Sequence, residues 1–318
     1  MGGVELGDAR ILQPGRLRWL RAIGWLACLL VLSVLAFNLA ADAALRAAAW
    51  LAGEAFTGRA AAPAGARLVA VLAGSVAMLA SYAIAVRLGE ARAARELAAA
   101  RFLPEVLAGI GVGGFMMAAV VGLLAGAGLV TVEAARVTQV LPSIKEAVQS
   151  AVIEELLLRL VIFRLLWRAF GAWPALALSA LLFGALHLGN PGATLFAALC
   201  LIAGEGVGAG LYMLSGRLWL SSGWHAGWNF AQGWLFGAAV SGTDLIAGGP
   251  LVTRPVQGAS PLLSGGAFGP EASLACLLVS LAASAGVLRL AWVRNAFRER
   301  SPAPAGERGT PEARLASA

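Results

Sequence analysis

Residues 169–204 read AFGAWPALALSALLFGALHLGNPGATLFAALCLIAG, which is 36 positions without a charged side chain. As one helix this stretch would be about 54 Å long, whereas about 20 apolar residues cross a bilayer. Gly189-Asn190-Pro191-Gly192 breaks it, since Gly and Pro punctuate helices. Two spans therefore emerge, at about 173–188 and 193–214. The whole chain agrees with a membrane protein. Of its 318 residues, 59% are hydrophobic and 13% charged, against about 45–50% and 25% in soluble domains. That balance excludes a water-soluble enzyme, a nucleic-acid reader and a disordered chain.

Working outward, further spans appear. Ala22–Ala41 follows Arg10, Arg16, Arg18 and Arg21 and is too long for a signal-peptide core of about 7–15 residues. We read it as an uncleaved first span, although Ala-rich 40–44 would also suit cleavage. Leu68–Val86 is the second span and Val106–Val132 the third. Arg87–Arg101, alternating Arg, Glu and Ala, suits an interfacial helix. The fourth runs from Lys145 to Arg168, the seventh over Leu218–Val240 and the eighth over Ala272–Val293. Thr243–Pro270, rich in Gly, Pro and Ser, reads as an exposed loop. The expected fold is all-α with about eight transmembrane helices. Its parts are 1–140 (helices one to three), 141–240 (a core of helices four to seven), 241–270 (loop), 271–293 (helix eight) and 294–318 (a disordered basic tail).

The net charge of +7 rests on arginine, because Lys145 is the only lysine. With eight spans and the N-terminus inside, 17 basic residues fall inside and six outside, so both termini are expected in the cytoplasm. Cys28, Cys200 and Cys276 lie far apart in apolar stretches and read as buried thiols.

The fourth span carries Glu154, Glu155 and Arg159. Unpaired, three such charges would cost roughly 8–10 kcal/mol at the bilayer centre. Glu155 and Arg159 are four apart and can pair on one helix face. Glu154 points about 100° away and has no local partner. Both histidines of the chain also lie in spans. His187 ends Phe183-Gly-Ala-Leu-His187, and His225 opens His225-Ala-Gly-Trp-Asn229. Glu154 lies 16 residues before Phe170, and His187 lies 16 after Gly171. A hairpin turning there puts both side chains at one depth, about 25 Å from the turn. Span seven can add His225 and Asn229. A carboxylate, two imidazoles and a carboxamide around a cavity suit attack of water on an amide: Glu154 and His187 orient and deprotonate the water, and N–H groups of His225 and Asn229 stabilise an oxyanion. No nucleophile elbow and no HExxH occurs. A Zn ion held by Glu154, His187 and His225 is an alternative, because carboxylate and imidazole suit it.

At these residues the sequence resembles the CAAX prenyl protease 2 and bacteriocin-processing (CPBP) family of intramembrane proteases. Its motifs stand here in order as Glu154-Glu155-Leu-Leu-Leu-Arg159, Phe183-Gly-Ala-Leu-His187 and His225-Ala-Gly-Trp-Asn229; Ser215-Gly-Arg-Leu-Trp219 and Gly223-Trp-His225 are also similar. The resemblance covers about residues 140–240. It implies Glu154 as catalytic glutamate, His187 as its partner, His225 and Asn229 at the oxyanion, and Glu155 and Arg159 as structural supports. It also implies a cavity open to the cytoplasm. Phe183 is expected to pack the cavity, Glu205 to snorkel or pair with Arg217, and tryptophans such as Trp219, Trp224, Trp228 and Trp234 to form interfacial belts.

The expectation is thus a multi-pass endopeptidase of a prokaryotic plasma membrane that cleaves a membrane-anchored protein or peptide. It needs no cofactor beyond that Zn alternative and no nucleic acid. A transporter or proton relay would also place Glu and His in the membrane, and a non-catalytic immunity or scaffold member would share the fold.

Overall fold

The computed structural model describes residues 3–298; most of the tail expected to be disordered lies outside them. Eight helical runs stand among the described residues where the sequence places spans: α1 Arg18–Leu51, α2 Ala64–Gly89, α3 Phe102–Gly126, α4 (Leu141–Glu155, π-helical Leu156–Phe163, Arg164–Phe170), α5 Ala172–Leu186, α6 Leu195–Ser215, α7 Leu218–Phe230 with a π-helical extension Ala231–Leu235, and α8 Leu274–Val293. Six of the helices are long and apolar enough to cross a membrane. The two others, α4 and α7, carry the polar groups described below. This is an all-α polytopic fold.

The turns follow local chemistry. Gly171 at φ 97° closes α4 and lets α5 return, where the hairpin arithmetic puts the turn. α5 gives way to a 3-10 turn, His187–Gly189, and the break at Asn190-Pro191-Gly192 follows. The Thr194 side chain accepts from Ala197 N at 3.0 Å and starts α6. Ser273 caps α8 in the same way through Cys276 N.

Several elements differ from expectation. The third helix stops at Gly126, and the chain then forms β1 (Val130–Ala134). β1 pairs antiparallel with β2 (Leu251–Pro255), from Val130 opposite Pro255 to Ala134 opposite Leu251. The expected loop after α7 is therefore partly ordered and partly buried, with Phe268 1% exposed. Helix α7 ends near Leu235 rather than Val240. Between α2 and α3 there is no interfacial α-helix but two 3-10 turns, Arg95–Leu97 and Ala99–Arg101. The acids of this stretch turn inward instead of facing water. Glu90 receives Arg164 Nη2 at 2.7 Å, Arg92 Nε at 2.7 Å and Trp25 Nε1 at 2.8 Å. Burial pushes the Glu90 carboxyl up, yet the Arg164 and Arg92 guanidiniums outweigh it and hold it below the usual range. Glu96 accepts from Arg92 at 2.8 Å and from the Tyr82 hydroxyl at 2.5 Å.

The tryptophans divide. Trp219, Trp224 and Trp228 are buried, against the expectation of a belt, because α7 lies inside the bundle. Trp234 is half-buried and donates to Gln139 O at 2.9 Å. Trp19, Trp50, Trp173 and Trp292, near helix ends, are the exposed ones. Cys200 and Cys276 are buried as expected, but Cys28 is exposed on α1.

Helices α3 and α7 touch backbone to backbone. A Cβ on Gly113 would stand 2.1 Å from Trp224 O, and one on Gly227 would stand 2.4 Å from Ile110 O. Gly109 and Gly223 complete the pattern, so each helix presents glycines four apart to the other. Small residues at this spacing are how membrane helices approach closely. The contact fixes α7, which carries His225 and Asn229. Gly113→Ala should overpack this seam and cost about 1–3 kcal/mol. Gly111→Ala, whose Cβ meets nothing within 4 Å, should leave stability unchanged or raise it. Thermal unfolding in detergent decides; equal melting of the two variants would refute the close seam.

Candidate active site

Three helices bring the four expected site residues to one cavity. Glu154 comes from α4, His187 from the end of α5, and His225 and Asn229 from α7; all line a chamber of about 60 Å³. A buried water needs about 10–15 Å³ by this measure, so the chamber holds a few. It joins a vestibule of about 360 Å³ that shares Glu154, His187 and Asn229.

The His225 ring lies between two neighbouring carboxylates. Its Nδ1 donates to Glu155 Oε1 at 3.1 Å, and its Nε2 lies 3.7 Å from Glu154 Oε2. Glu155 is fully buried and also accepts from Arg159 Nε at 2.8 Å and Nη2 at 3.0 Å, as the i,i+4 spacing implied. The other edge of the Arg159 guanidinium meets Glu205, at 2.5 and 3.0 Å. Glu205 therefore pairs with Arg159 and not with Arg217, which is taken by Glu105. Gly208 leaves room for this guanidinium: a Cβ there would stand 2.2 Å from Arg159 Nη2. A buried charge is tolerated only when paired and hydrogen-bonded, and each member of this chain meets that condition. Glu154 differs, since its side chain keeps 34% of its exposure.

His187 Nδ1 donates to Phe183 O at 2.9 Å, because a carbonyl can only accept. Its Nε2 is left for the cavity. The Phe183 ring packs 4.4 Å from the His187 ring and 6.4 Å from that of His225, so it spaces the two imidazoles. Asn229 Nδ2 donates to Ser150 Oγ at 3.2 Å. Ser150 stands four residues before Glu154 and thus on its face of α4. Both motif helices become π-helical soon after the site residues, at Leu156 and at Ala231. Such segments are rare and concentrate at functional sites.

Glu271 escaped the sequence reading. It stands just ahead of α8, where an acid passes for a loop residue, yet it is 2% exposed and lines the chamber. Its carboxylate accepts from Ser241 N at 2.6 Å, Ser241 Oγ at 2.8 Å and Trp228 Nε1 at 3.3 Å. Ser241 sits at φ 48°, an uncommon conformation for a residue with a side chain. Its carbonyl accepts from Asn190 Nδ2 at 3.0 Å, three residues past His187. Glu271 thereby ties the turn after His187 to the helix of His225 and Asn229.

Among the described residues no three His, Cys, Asp or Glu side chains converge closely enough to hold a metal ion. Glu154, His187 and His225 share the cavity without forming the Zn site considered as an alternative.

Two variants probe this architecture by thermal unfolding. Arg159→Leu strands two buried carboxylates and should cost about 3–5 kcal/mol. Glu271→Ala leaves buried donors unpaired and should cost about 1–3 kcal/mol. Wild-type melting of Arg159→Leu would contradict the ion network.

No curated protein and no solved structure matches the chain. A family model described as Rce1-like, type II CAAX prenyl endopeptidase, matches residues 136–231. The match contains all three motifs and leaves out Glu271 and the β-ribbon. Residues 136–231 are thus similar to the Rce1-like intramembrane proteases of the type II CAAX prenyl endopeptidase kind.

Proposed function

We propose that this protease hydrolyses a peptide bond of a membrane-associated polypeptide with a water activated by Glu154 and His187. The observation that carries the reading is a partly exposed carboxylate 3.7 Å from the His225 ring, in a small chamber that His187 also lines. Glu154 takes a proton from the water while the free His187 Nε2 orients it. The oxygen adds to the scissile carbonyl carbon, and the carbonyl π bond breaks to an oxyanion. Asn229 keeps one Nδ2 hydrogen beyond its bond to Ser150, and His225 in its doubly protonated form offers Nε2–H; both suit the oxyanion. The C–N bond then breaks, and the proton held by Glu154 passes to the leaving nitrogen.

The division of roles rests on neighbours. Glu155 is committed to Arg159 and His225, so it holds His225 and does not meet water. Glu154 has the exposure that proton transfer needs. Glu271, through Ser241 and Asn190, positions the turn that carries His187.

Glu154→Gln and His187→Ala should each lower cleavage by about 10²–10⁴-fold, the usual worth of a general base, with melting temperature and insertion unchanged. Comparative proteomics of membranes bearing wild type or Glu154→Gln should reveal a protein that stays uncut in the variant. Full processing by both variants would sink the mechanism. Flux of protons or solute through liposomes, lost with Glu154→Gln and unaccompanied by cleavage, would favour a relay instead.

A further inference from the structure

We propose that the substrate enters from the extracytoplasmic side, so that the segment cut is the outer juxtamembrane flank of a membrane-anchored polypeptide and not a lipidated tail on the cytoplasmic leaflet. This rests on the protease reading above.

The vestibule lies at one end of the bundle. It is lined by Glu146, Gln149 and Ser150 of α4, by Asn190 of the α5–α6 turn, and by Thr243 and Leu245 of the segment after α7. The same end carries the β-ribbon, and Ser143 Oγ donates there to Ala247 O at 2.8 Å. Glu154 is 13 residues into α4 from Leu141, about 20 Å along the axis. It is about 25 Å from the opposite turn at Gly171, on the far side of the buried Arg159 and Arg164.

The opposite end is closed by the chain's own first residues. Val4, Leu6 and Leu12 are buried. Gly3 N donates to Met213 O at 2.9 Å. Arg168 Nη2 donates to Leu12 O at 2.7 Å, and Arg164 Nη1 to Leu6 O at 3.3 Å and Glu90 Oε2 at 2.9 Å. Trp219 Nε1 reaches Ala98 O at 2.9 Å. A polypeptide approaching from that side meets a packed layer of ion pairs.

Charge then assigns the sides. Among the described residues, 14 arginines gather at the closed end, in the stretch up to the first turn of α1, from the end of α2 to α3, near the α4–α5 and α6–α7 turns and at and after the close of α8; the vestibule end has five arginines and Lys145. Basic residues flanking membrane helices stay in the cytoplasm. The closed end is therefore cytoplasmic and the vestibule faces outward. Its walls mix amide and hydroxyl groups with Ile153, Val240 and Ile246, which suits an extended peptide backbone. An anchored polypeptide holds its flank at this mouth at high effective concentration.

Cysteine labelling tests the orientation in cells making the full chain with its three native cysteines replaced by serine. Leu245→Cys, at the vestibule rim, should react with a membrane-impermeant maleimide in intact cells at least tenfold faster than Arg16→Cys at the closed end. Arg16→Cys should label only after permeabilisation. The reverse pattern, or equal labelling, overturns the proposal. Should the serine background misfold, a reporter fused after Ala318 that is active only in the cytoplasm asks the same question of the native cysteines; activity only outside overturns it. In the proteomic comparison, sites cut by wild type and spared by Glu154→Gln should lie in extracytoplasmic flanks, and sites in cytoplasmic tails overturn the substrate class. Outward labelling with no difference in cut sites would instead refute the protease reading, and the substrate with it.

Discussion

Arg159 sits at the centre of the molecule with no exposure, and its guanidinium is divided between Glu155 and Glu205. Placing an ion in low dielectric costs several kcal/mol after relaxation, so these three groups tolerate burial only as a unit. The unit constrains its surroundings. Helix α6 must present Gly208, where a Cβ would strike the guanidinium. Helix α7 must bring His225 against the remaining side of Glu155. Removing Arg159 would leave two buried carboxylates without their shared partner.

A second network stands nearer the closed end, where Arg164 meets Glu90 and Arg92 bridges Glu90 and Glu96. Arg159 and Arg164 both leave the π-helical stretch of α4 or its edge. In a regular α-helix, residues five apart diverge by about 140°; the wider π turn narrows that angle and lets one helix serve two layers. The first layer shapes the chamber, and the second closes the bundle behind it.

Much of this was legible because it obeys simple periodicities. The hairpin between α4 and α5 followed from the charge-free run and Gly171, and its equal arms brought Glu154 and His187 to one cavity. Glu155–Arg159 followed from i,i+4 spacing. What escaped depends on long-range pairing. Glu205, between glycines in an apolar run, gave no sign of choosing Arg159 over Arg217. Glu271 lay at a span edge, where acids are ordinary. The β-ribbon joins residues more than a hundred positions apart: β1 follows the apolar run of α3, and β2 lies in the Gly- and Pro-rich segment. Trp219, Trp224 and Trp228 were misplaced because a belt and a buried seam share a composition; the glycines at 223 and 227 carried the signal, as they let α7 sink against α3.

In the mechanism proposed, the adjacent carboxylates Glu154 and Glu155 divide support from chemistry within one turn of helix. They differ by one residue, hence by about 100° around α4. That rotation sends Glu155 into the protein, where Arg159 and His225 occupy its oxygens. It sends Glu154 to the wall of the chamber, where the mechanism proposed has it take a proton and return it. A carboxylate with both oxygens bound by fixed donors cannot exchange protons with a substrate without breaking the network. A free carboxylate in hydrocarbon without that network would be too costly to keep. The pair resolves the conflict, because the buried member anchors the helix and the neighbouring ring, and the other remains available at a defined distance from both.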